Sequence, residues 1–513
     1  MKCVLAAPKV EWEDEYYADD ICLENPGIGL LASILRLQGC HVVIRDGNLE
    51  NLSLSDLMSD LEGADFLGLS LDSSTIKSVS NWLFEVKNSF PNLAIALGDY
   101  AISMAWREAL EQVPEGTVIC IGEGETMLSD WAASGFSEET LTDLQGVAFQ
   151  RDGEIHCTDP PLEVAKLDTL PWIDRQVFER VQHANHDTLV IMASRGCPFN
   201  CHFCSRPTFN QLAGAPRWRP RDFQDLLKEV IALEQRYGIQ RFFLFDDQFP
   251  GSHKQATKRI QNFENVFGQF NRKYSFRVAM RVDTIDVIGD LGISAMWRSG
   301  VERIFLGLES FSKTQLISFG KPSSNAYRNI TTVDMLERNG IAVHCGFINF
   351  SPNTSHEQLI TNGQGLLRSR QGAYFRHFRS QLYYGPGSRM KQADSESRDN
   401  YQSYITLAPP EMKHIHSRLE ELYKDLRYID LRMERLDFRA IRSLKLKHGS
   451  ECELDSLWWL WRETKEALAK NNHLMYEMVL LGENQIPLQE FSKQQQESLK
   501  ILESSINKRV NNA

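Results

Sequence analysis

Along residues 1 to about 150, short apolar runs alternate with helical patterns. KCVLAAP reads as a strand, IGLLASILRLQG as a helix and CHVVIRD as a strand. DLMSDLEGA, FLGLSL and SVSNWLFEVKNSF continue as helix, strand and helix, and LAIALGD and TVICIG add two more strands. This rhythm predicts an open, mostly parallel sheet with helices on both faces. Gly39 and Gly63 stand where helices should stop. The pattern then breaks over residues 146–187. GVAFQRDGEIH predicts a hairpin turning at Asp152-Gly153. The proline-rich DPPLEVAKLDTLPWID predicts a surface linker.

From Thr188 the α/β rhythm restarts with strand TLVIMAS. Helix RDFQDLLKEVIALEQRYG carries apolar residues at helical spacing and stops at Gly238. Strands RFFLFDD, YSFRVAMRVD, ERIFLGLES, AVHCGFINF and YFRHFRSQLYY follow, separated by helices over 254–271, 286–299, AYRNITTVDMLERNG and 356–370. Six such units are too few for a closed eightfold barrel and predict a partial (β/α)6 barrel. After about residue 390 the chain holds long charged amphipathic helices such as PPEMKHIHSRLEELYKDLRYIDLRMERL. The expected fold is therefore α/β in four parts: a Rossmann-like domain over 1–145, a linker over 146–187, a partial barrel over 188–388 and a helical domain over 389–513.

A chain of 513 residues exceeds a single core, in keeping with this division. Its net charge of −12 argues against a general nucleic-acid binder, which needs a basic face. No apolar run reaches the roughly 18 residues of a membrane span, so no membrane association is expected. MKCVLAAPKVEWEDE turns acidic too early for a secretory signal, and a cytoplasmic location is expected. Ten cysteines are too few for a disulfide scaffold, and only Cys197, Cys201 and Cys204 cluster.

Those three lie in SRGCPFNCHFCSRPTF, residues 194–209. Thiolates select zinc or iron–sulfur clusters. Structural zinc takes four protein ligands, and no second cysteine pair is present. A [4Fe–4S] cluster held by three thiolates leaves one iron open, which suits chemistry. The loop also follows the first barrel strand, on the side where such barrels build active sites. CPFNCHFC, with CxxxCxxC spacing and Phe203 before the last cysteine, resembles the radical S-adenosylmethionine (SAM) superfamily over about residues 188–385. The resemblance implies that Cys197, Cys201 and Cys204 hold a [4Fe–4S] cluster and that SAM chelates its open iron. Electron transfer then yields a 5′-deoxyadenosyl radical that abstracts hydrogen from a substrate. It further implies adenine against Phe203, the SAM ammonium near Asp246 and Asp247 (FDD in place of the common GGE form), the carboxylate at Arg281 of RVD, and ribose at Glu309. The alternatives for these charges are solvated loop residues or barrel-rim salt bridges.

In the first domain the loops ENPGIG, SLDSST, GDYAIS and GEGE fall at strand ends, where doubly wound sheets bind ligands. No GxGxxG or Walker A pattern occurs. The layout resembles the cobalamin-binding domain of class B radical SAM enzymes, through PGIGLLASILRLQGCHVVIRDGN, FLGLSLDSST, PNLAIALGDYA and ICIGEGET in order. That resemblance implies a nucleotide tail among Ser70, Ser73, Gly98 and Gly122, and no histidine on cobalt. One departure is Gly98-Asp99, where Gly-Gly is common: a carboxylate there crowds or repels a phosphate-bearing tail. The alternative is a domain that keeps the fold without cobalamin.

Cys345 in AVHCGF is either buried core or, if it faces the lumen, a hydrogen donor to a substrate radical. In YFRHFR, strand alternation sets Arg376 opposite His377 and Arg379, so an inward arginine would favour an anionic substrate and an outward one would be a rim charge. Tyr383, Tyr384 and GPGS are candidates for the substrate pocket. Trp458, Trp459 and Trp461 are helix-packing core or a substrate lid. The expected activity is cobalamin-dependent C-methylation of an unactivated carbon in a small molecule or peptide, with an external one-electron reductant such as flavodoxin or ferredoxin. The alternative is a cobalamin-free radical SAM dehydratase or epimerase. A tRNA methylthiotransferase is disfavoured by the acidic chain and the lack of a second cysteine triad.

Overall fold

The computed structural model describes the chain except residues 10–23, 72–74, 162–165, 182–186, 215, 386, 391–403, 406–408, 445–453, 484 and 512–513. Two compact units emerge, Met1–Phe245 with Tyr384–Tyr404, and Asp246–Tyr383 with Ile405–Ala513. No helix among the described residues is long and apolar enough to cross a membrane.

The first unit is built on strands β1 (Lys2–Ala7), β2 (His41–Asp46), β3 (Phe66–Ser70), β4 (Ala94–Gly98), β5 (Thr117–Cys120), β6 (Val147–Arg151) and β7 (Glu154–Cys157), in the order β2-β1-β3-β4-β5-β6-β7. β1 to β5 are parallel, and β6 and β7 antiparallel. The strands are nearly all apolar because both faces are covered. In β1, Cys3, Leu5 and Ala7 join the core around Phe66 and Trp131, while Val4 and Ala6 join the one around Leu69 and Ile95. The order 2-1-3-4-5 puts a switch point between β1 and β3, where such sheets open a crevice beyond their carboxyl ends. The hairpin turns at Asp152 (φ 52°) and Gly153 (φ 74°), the left-handed pair its tight turn needs. It belongs to the sheet rather than to a linker.

The same unit carries parallel strands β8 (Thr188–Ile191) and β11 (Arg241–Leu244) and the antiparallel ribbon of β9 (Ser194–Gly196) and β10 (Trp218–Pro220). The helix Phe223–Tyr237 is capped by Asp222 and ended by left-handed Gly238, as its sequence predicts.

In the second unit β12 (Ser275–Arg281), β13 (Val301–Glu309) and β14 (Ala342–Phe347) run parallel, with β13 in the middle. Residues 374–384 do not form the expected long strand. They hold the short helix Arg376–Arg379 and a two-residue strand at Tyr383–Tyr384. Strand alternation therefore does not apply to Arg376. Its guanidinium is buried and donates to Glu434 Oε2 at 2.7 Å, and its amide donates to Asp430.

Helices Lys413–Ser443, Ser456–Leu480 and Leu488–Asn511 bury Met433, Leu436, Trp458, Trp461, Leu499 and Ile506 together. Trp458 donates to the Glu337 carbonyl and Trp461 to Asp437, so both are packing residues; Trp459 is exposed. Lys465, wholly buried, donates to Glu337 Oε1 at 2.7 Å.

Candidate functional site

The cysteine loop leaves β9 directly. Gly196 (φ 84°) is required there: a Cβ would stand 2.3 Å from the Arg217 carbonyl oxygen, and this close approach lets β10 pair alongside. Cys197, Cys201 and Cys204 are half-buried, whereas Cys3, Cys40, Cys120 and Cys345 are buried. The Cys204 amide donates to the Cys201 carbonyl at 3.2 Å, and the Arg206 amide donates to Cys204 Sγ at 3.4 Å. A backbone donor aimed at sulfur favours the thiolate over the thiol. Among the described residues no three His, Cys, Asp or Glu side chains converge on one ion position. Three half-buried thiols in one loop fit a [4Fe–4S] cluster, whose thiolates bind separate irons. Phe203 lies half-buried in the same loop.

Of the residues that the resemblance assigns to SAM, Asp246 is buried and Asp247 exposed. Arg281 corrects an expectation. Its fork is taken by Asp283, with Nε to Oδ1 at 2.9 Å and Nη2 to Oδ2 at 2.7 Å, rather than held ready for an incoming carboxylate. Burial would raise the Asp283 carboxyl, but Arg281 and the Ser323 hydroxyl outweigh it and hold it well below the usual range. Glu309 sits past a register shift in β13 with φ 60°, and its carboxylate accepts from Lys321 Nζ at 2.5 Å. Lys321 also donates to the Gly307 carbonyl at 2.9 Å. Sequence reasoning missed Lys321, which nothing in its KPSS context marks.

Glu309, Phe305, Gly346 and His344 share one face of the sheet. The Phe305 and His344 rings meet at 5.4 Å, and a Cβ on Gly346 would lie 3.0 Å from Phe305 and 3.4 Å from Glu309 Oε2. Phe305 is 40% exposed although β13 is a middle strand, so this face borders open space. Cys345 points the other way, which corrects its assignment as a hydrogen donor. Its sulfur lies 3.5 Å from His377 Nε2, fully buried. His377 Nδ1 lies 2.8 Å from the Gln371 carbonyl, so Nδ1 carries the proton and Nε2 accepts from the thiol. Burial pushes the thiol up and the imidazole down to about 3, so both stay neutral.

At the switch point of the first sheet, Asn25 Nδ2 donates to Ser70 Oγ at 3.2 Å, and Ser70 Oγ donates to Asp99 Oδ2 at 2.9 Å. Asp99 also accepts from the Tyr100 amide. At Gly98 there is room among the described residues: Cys120 Cβ, at 3.8 Å, is the one atom of theirs that an added methyl would meet. Gly122 (φ 90°) differs, because its missing side chain makes room for Ala213 and Pro161, about 3 Å away, and not for a ligand. Ser73 lies outside the described residues. Asn25, Ser70 and Gly98 at the strand ends fit a corrinoid's polar tail, and Asp99 sets a carboxylate among them.

Sequence reasoning also missed four charges. Glu123 accepts from Arg219 and lies 3.4 Å from Arg195; Glu125 Oε1 accepts from Arg195 Nη2 at 2.5 Å. Burial would raise the Glu123 carboxyl, but the two guanidiniums hold it below its ordinary value. These pairs join positions 70 to 96 residues apart.

Comparison with known proteins identifies two domains. Residues 191–361 match the radical SAM superfamily and residues 21–132 the B12 binding domain. "Uncharacterized methyltransferase PH0819" of Pyrococcus horikoshii is 24% identical over 337 residues, 65% of this chain and 71% of that protein. The anaerobic magnesium-protoporphyrin IX monomethyl ester cyclase of Synechocystis is 28% identical over 245 residues, 47% of each, so the match spans about half of that enzyme. The structure of the cobalamin-dependent SAM radical enzyme OxsB, with aqua-cobalamin and SAM bound, superposes with a TM-score of 0.67 at 18% identity, over 98% of this chain and 84% of that one. Its likeness establishes the fold, a B12-binding domain, a radical SAM domain and a helical C-terminal region. The two matched domains imply a [4Fe–4S] cluster, SAM and cobalamin as cofactors. This chain is a radical SAM superfamily enzyme that carries a B12-binding domain ahead of its radical SAM domain.

Proposed function

We propose that the protein is a cobalamin-dependent radical SAM methyltransferase acting on an unactivated carbon of a small-molecule or peptide substrate. The observation that carries this reading is the union, in one compact unit, of a three-thiol CxxxCxxC loop and a 2-1-3-4-5 sheet with its switch point between β1 and β3. Cys197, Cys201 and Cys204 would hold the cluster, and Ser70, Ser73 and Gly98 the corrinoid tail. When bound, these groups supply an electron for SAM cleavage and a methyl carrier. The chain's own residues prepare their places. The Arg206 amide steadies the Cys204 sulfur, Gly98 leaves room beside the strand ends, and Lys321 fixes the Glu309 carboxylate expected at ribose. Asp246, Asp247 and Phe203 complete the expected SAM contacts. A cytoplasmic flavodoxin or ferredoxin is the expected reductant, and the setting is specialised-metabolite or modified-peptide biosynthesis.

A second reading, a radical SAM reaction without methyl transfer, is favoured by the likeness to a cyclase. The first experiment is anaerobic reconstitution followed by iron analysis and an absorption spectrum of protein from cobalamin-fed cells. About four irons and a bound corrinoid are expected, with Cys201→Ala losing the cluster. Full iron and activity in Cys201→Ala overturns the radical SAM chemistry; an active enzyme free of corrinoid overturns the methyltransferase and promotes the second reading.

A further inference from the structure

The ribbon leading into the cysteine loop is three residues per strand, and it pairs Arg195 directly with Arg219. A two-stranded ribbon is marginal alone, and like charges directly opposite weaken it further. What offsets the repulsion comes from the first sheet. Glu123 reaches both arginines and Glu125 reaches Arg195, so four charges sum to zero over Gly122–Glu125 and the ribbon. Burial makes this balance matter, since Arg219 and Glu125 are buried and Arg195 and Glu123 nearly so. Removing one partner of a buried pair leaves a charge that low-dielectric surroundings screen poorly. The loop is itself anchored. Ser103 Oγ accepts from the Gly122 amide at 3.1 Å and donates to the Asp99 carbonyl at 2.8 Å. A continuous line of bonded groups thus runs from Asp99, at the end of β4, to Gly196, one residue before Cys197.

We infer that Glu123 and Glu125 are positioning residues for the cluster-bearing segment, and that loop Gly122–Glu125 couples the carboxyl end of the first sheet to the cluster's environment. This rests on the radical SAM reading. Neutral and balanced, the quartet fixes both the path of β9 and the charge beside the cluster. Removing a carboxylate or a guanidinium must therefore move the cluster's one-electron potential in opposite directions.

The test is a dithionite titration of the full chain after reconstitution, followed by electron paramagnetic resonance of the reduced cluster. Glu125→Gln is expected to shift the midpoint positive, Arg195→Gln negative, and the double variant back to the wild-type value. Unchanged midpoints, or two single-variant shifts of the same sign, overturn the proposal. If the wild-type chain takes up no four-iron cluster, the radical SAM reading itself falls and takes this proposal with it. Glu125→Asp keeps the charge but shortens its reach, and gives a check by hydrogen exchange without the cluster. Faster exchange at the Ser194–Gly196 amides supports the coupling, and unchanged exchange overturns it.

Discussion

Replacing Asp99 with glycine should stabilise the first unit. Asp99 has φ 129° and ψ 175°, a region that is essentially glycine's own and costs another residue roughly 1–3 kcal/mol. Against that, its carboxylate accepts from the Tyr100 amide at the start of the helix Tyr100–Met104, and from Ser70 Oγ. The residue is exposed, so each bond contributes toward the low end of about 0.5–1.5 kcal/mol. Glycine at a helix N-cap gives up only a few tenths of a kcal/mol relative to aspartate. The balance favours Asp99→Gly by about 1 kcal/mol, or about 2–4 °C for a unit of this size. Asp99→Ala keeps a Cβ in the strained region and loses both bonds, so it should fall about 1 kcal/mol below wild type. Calorimetry of the cluster-free chain should rank glycine above aspartate above alanine. Alanine equal to or above wild type, or glycine below it, would refute the strain argument. The glycine variant also removes a negative charge from the loop expected to meet a phosphate-bearing tail, so titration with hydroxocobalamin should give a lower Kd than wild type.

Other expectations concern separate regions. Gly196→Ala puts a Cβ 2.3 Å from the Arg217 carbonyl at φ 84°, so the ribbon must break and the reconstituted iron content should fall sharply without global unfolding. Lys465→Met leaves the buried Glu337 carboxylate with Arg370 as a partner but its Oε1 without the ammonium, and should lower stability by about 1–3 kcal/mol in urea denaturation, beyond a surface Lys→Met control. Acid should weaken the second unit in two stages. The unfolded chain protonates His377 as pH falls through 6.5 while the folded chain resists to about 3, so stability drops across that interval. Glu337, held down to about 2 by Lys465 and Arg370 despite burial, adds stability that is full above 4.5 and lost as pH falls toward 2. His377→Gln should lessen the loss between pH 6.5 and 4.5, leaving the share of His344, whose imidazole burial also pushes well down; an unaltered slope would refute the role of His377.

The sequence made the strand–helix rhythm of β1 to β5 legible because fully covered parallel strands must be apolar throughout, and the helices between them carry their own stop signals at Gly39 and Gly63. The cysteine triad was legible because its ligands are neighbours in the chain. What failed was information that lives between distant residues. YFRHFR looks like a strand, but Arg376 is drawn into a helix by Glu434, 58 positions downstream. Arg281 looks available until Asp283 is seen folded back onto it. Cys345 was undecidable because one step of register chooses between the open face and His377. Glu123 and Glu125 read as an unremarkable acidic loop, since their partners arrive only with the ribbon.

The hairpin Val147–Cys157 has a consequence for anyone who moves this domain between proteins. The B12-binding match ends at residue 132, and a cut there, or at 145, would strip the last two strands from the sheet. β5 would then present a bare row of amides and carbonyls beside Val118 and Ile119, a template for pairing with another chain. The natural edge is better guarded. β7 is four residues long, begins with Glu154, and is exposed along most of its length. A transplantable module therefore needs to run past Asp159, whose carbonyl closes the hairpin onto the Gly146 amide. A shorter one would carry a sticky edge into every chimera made from it.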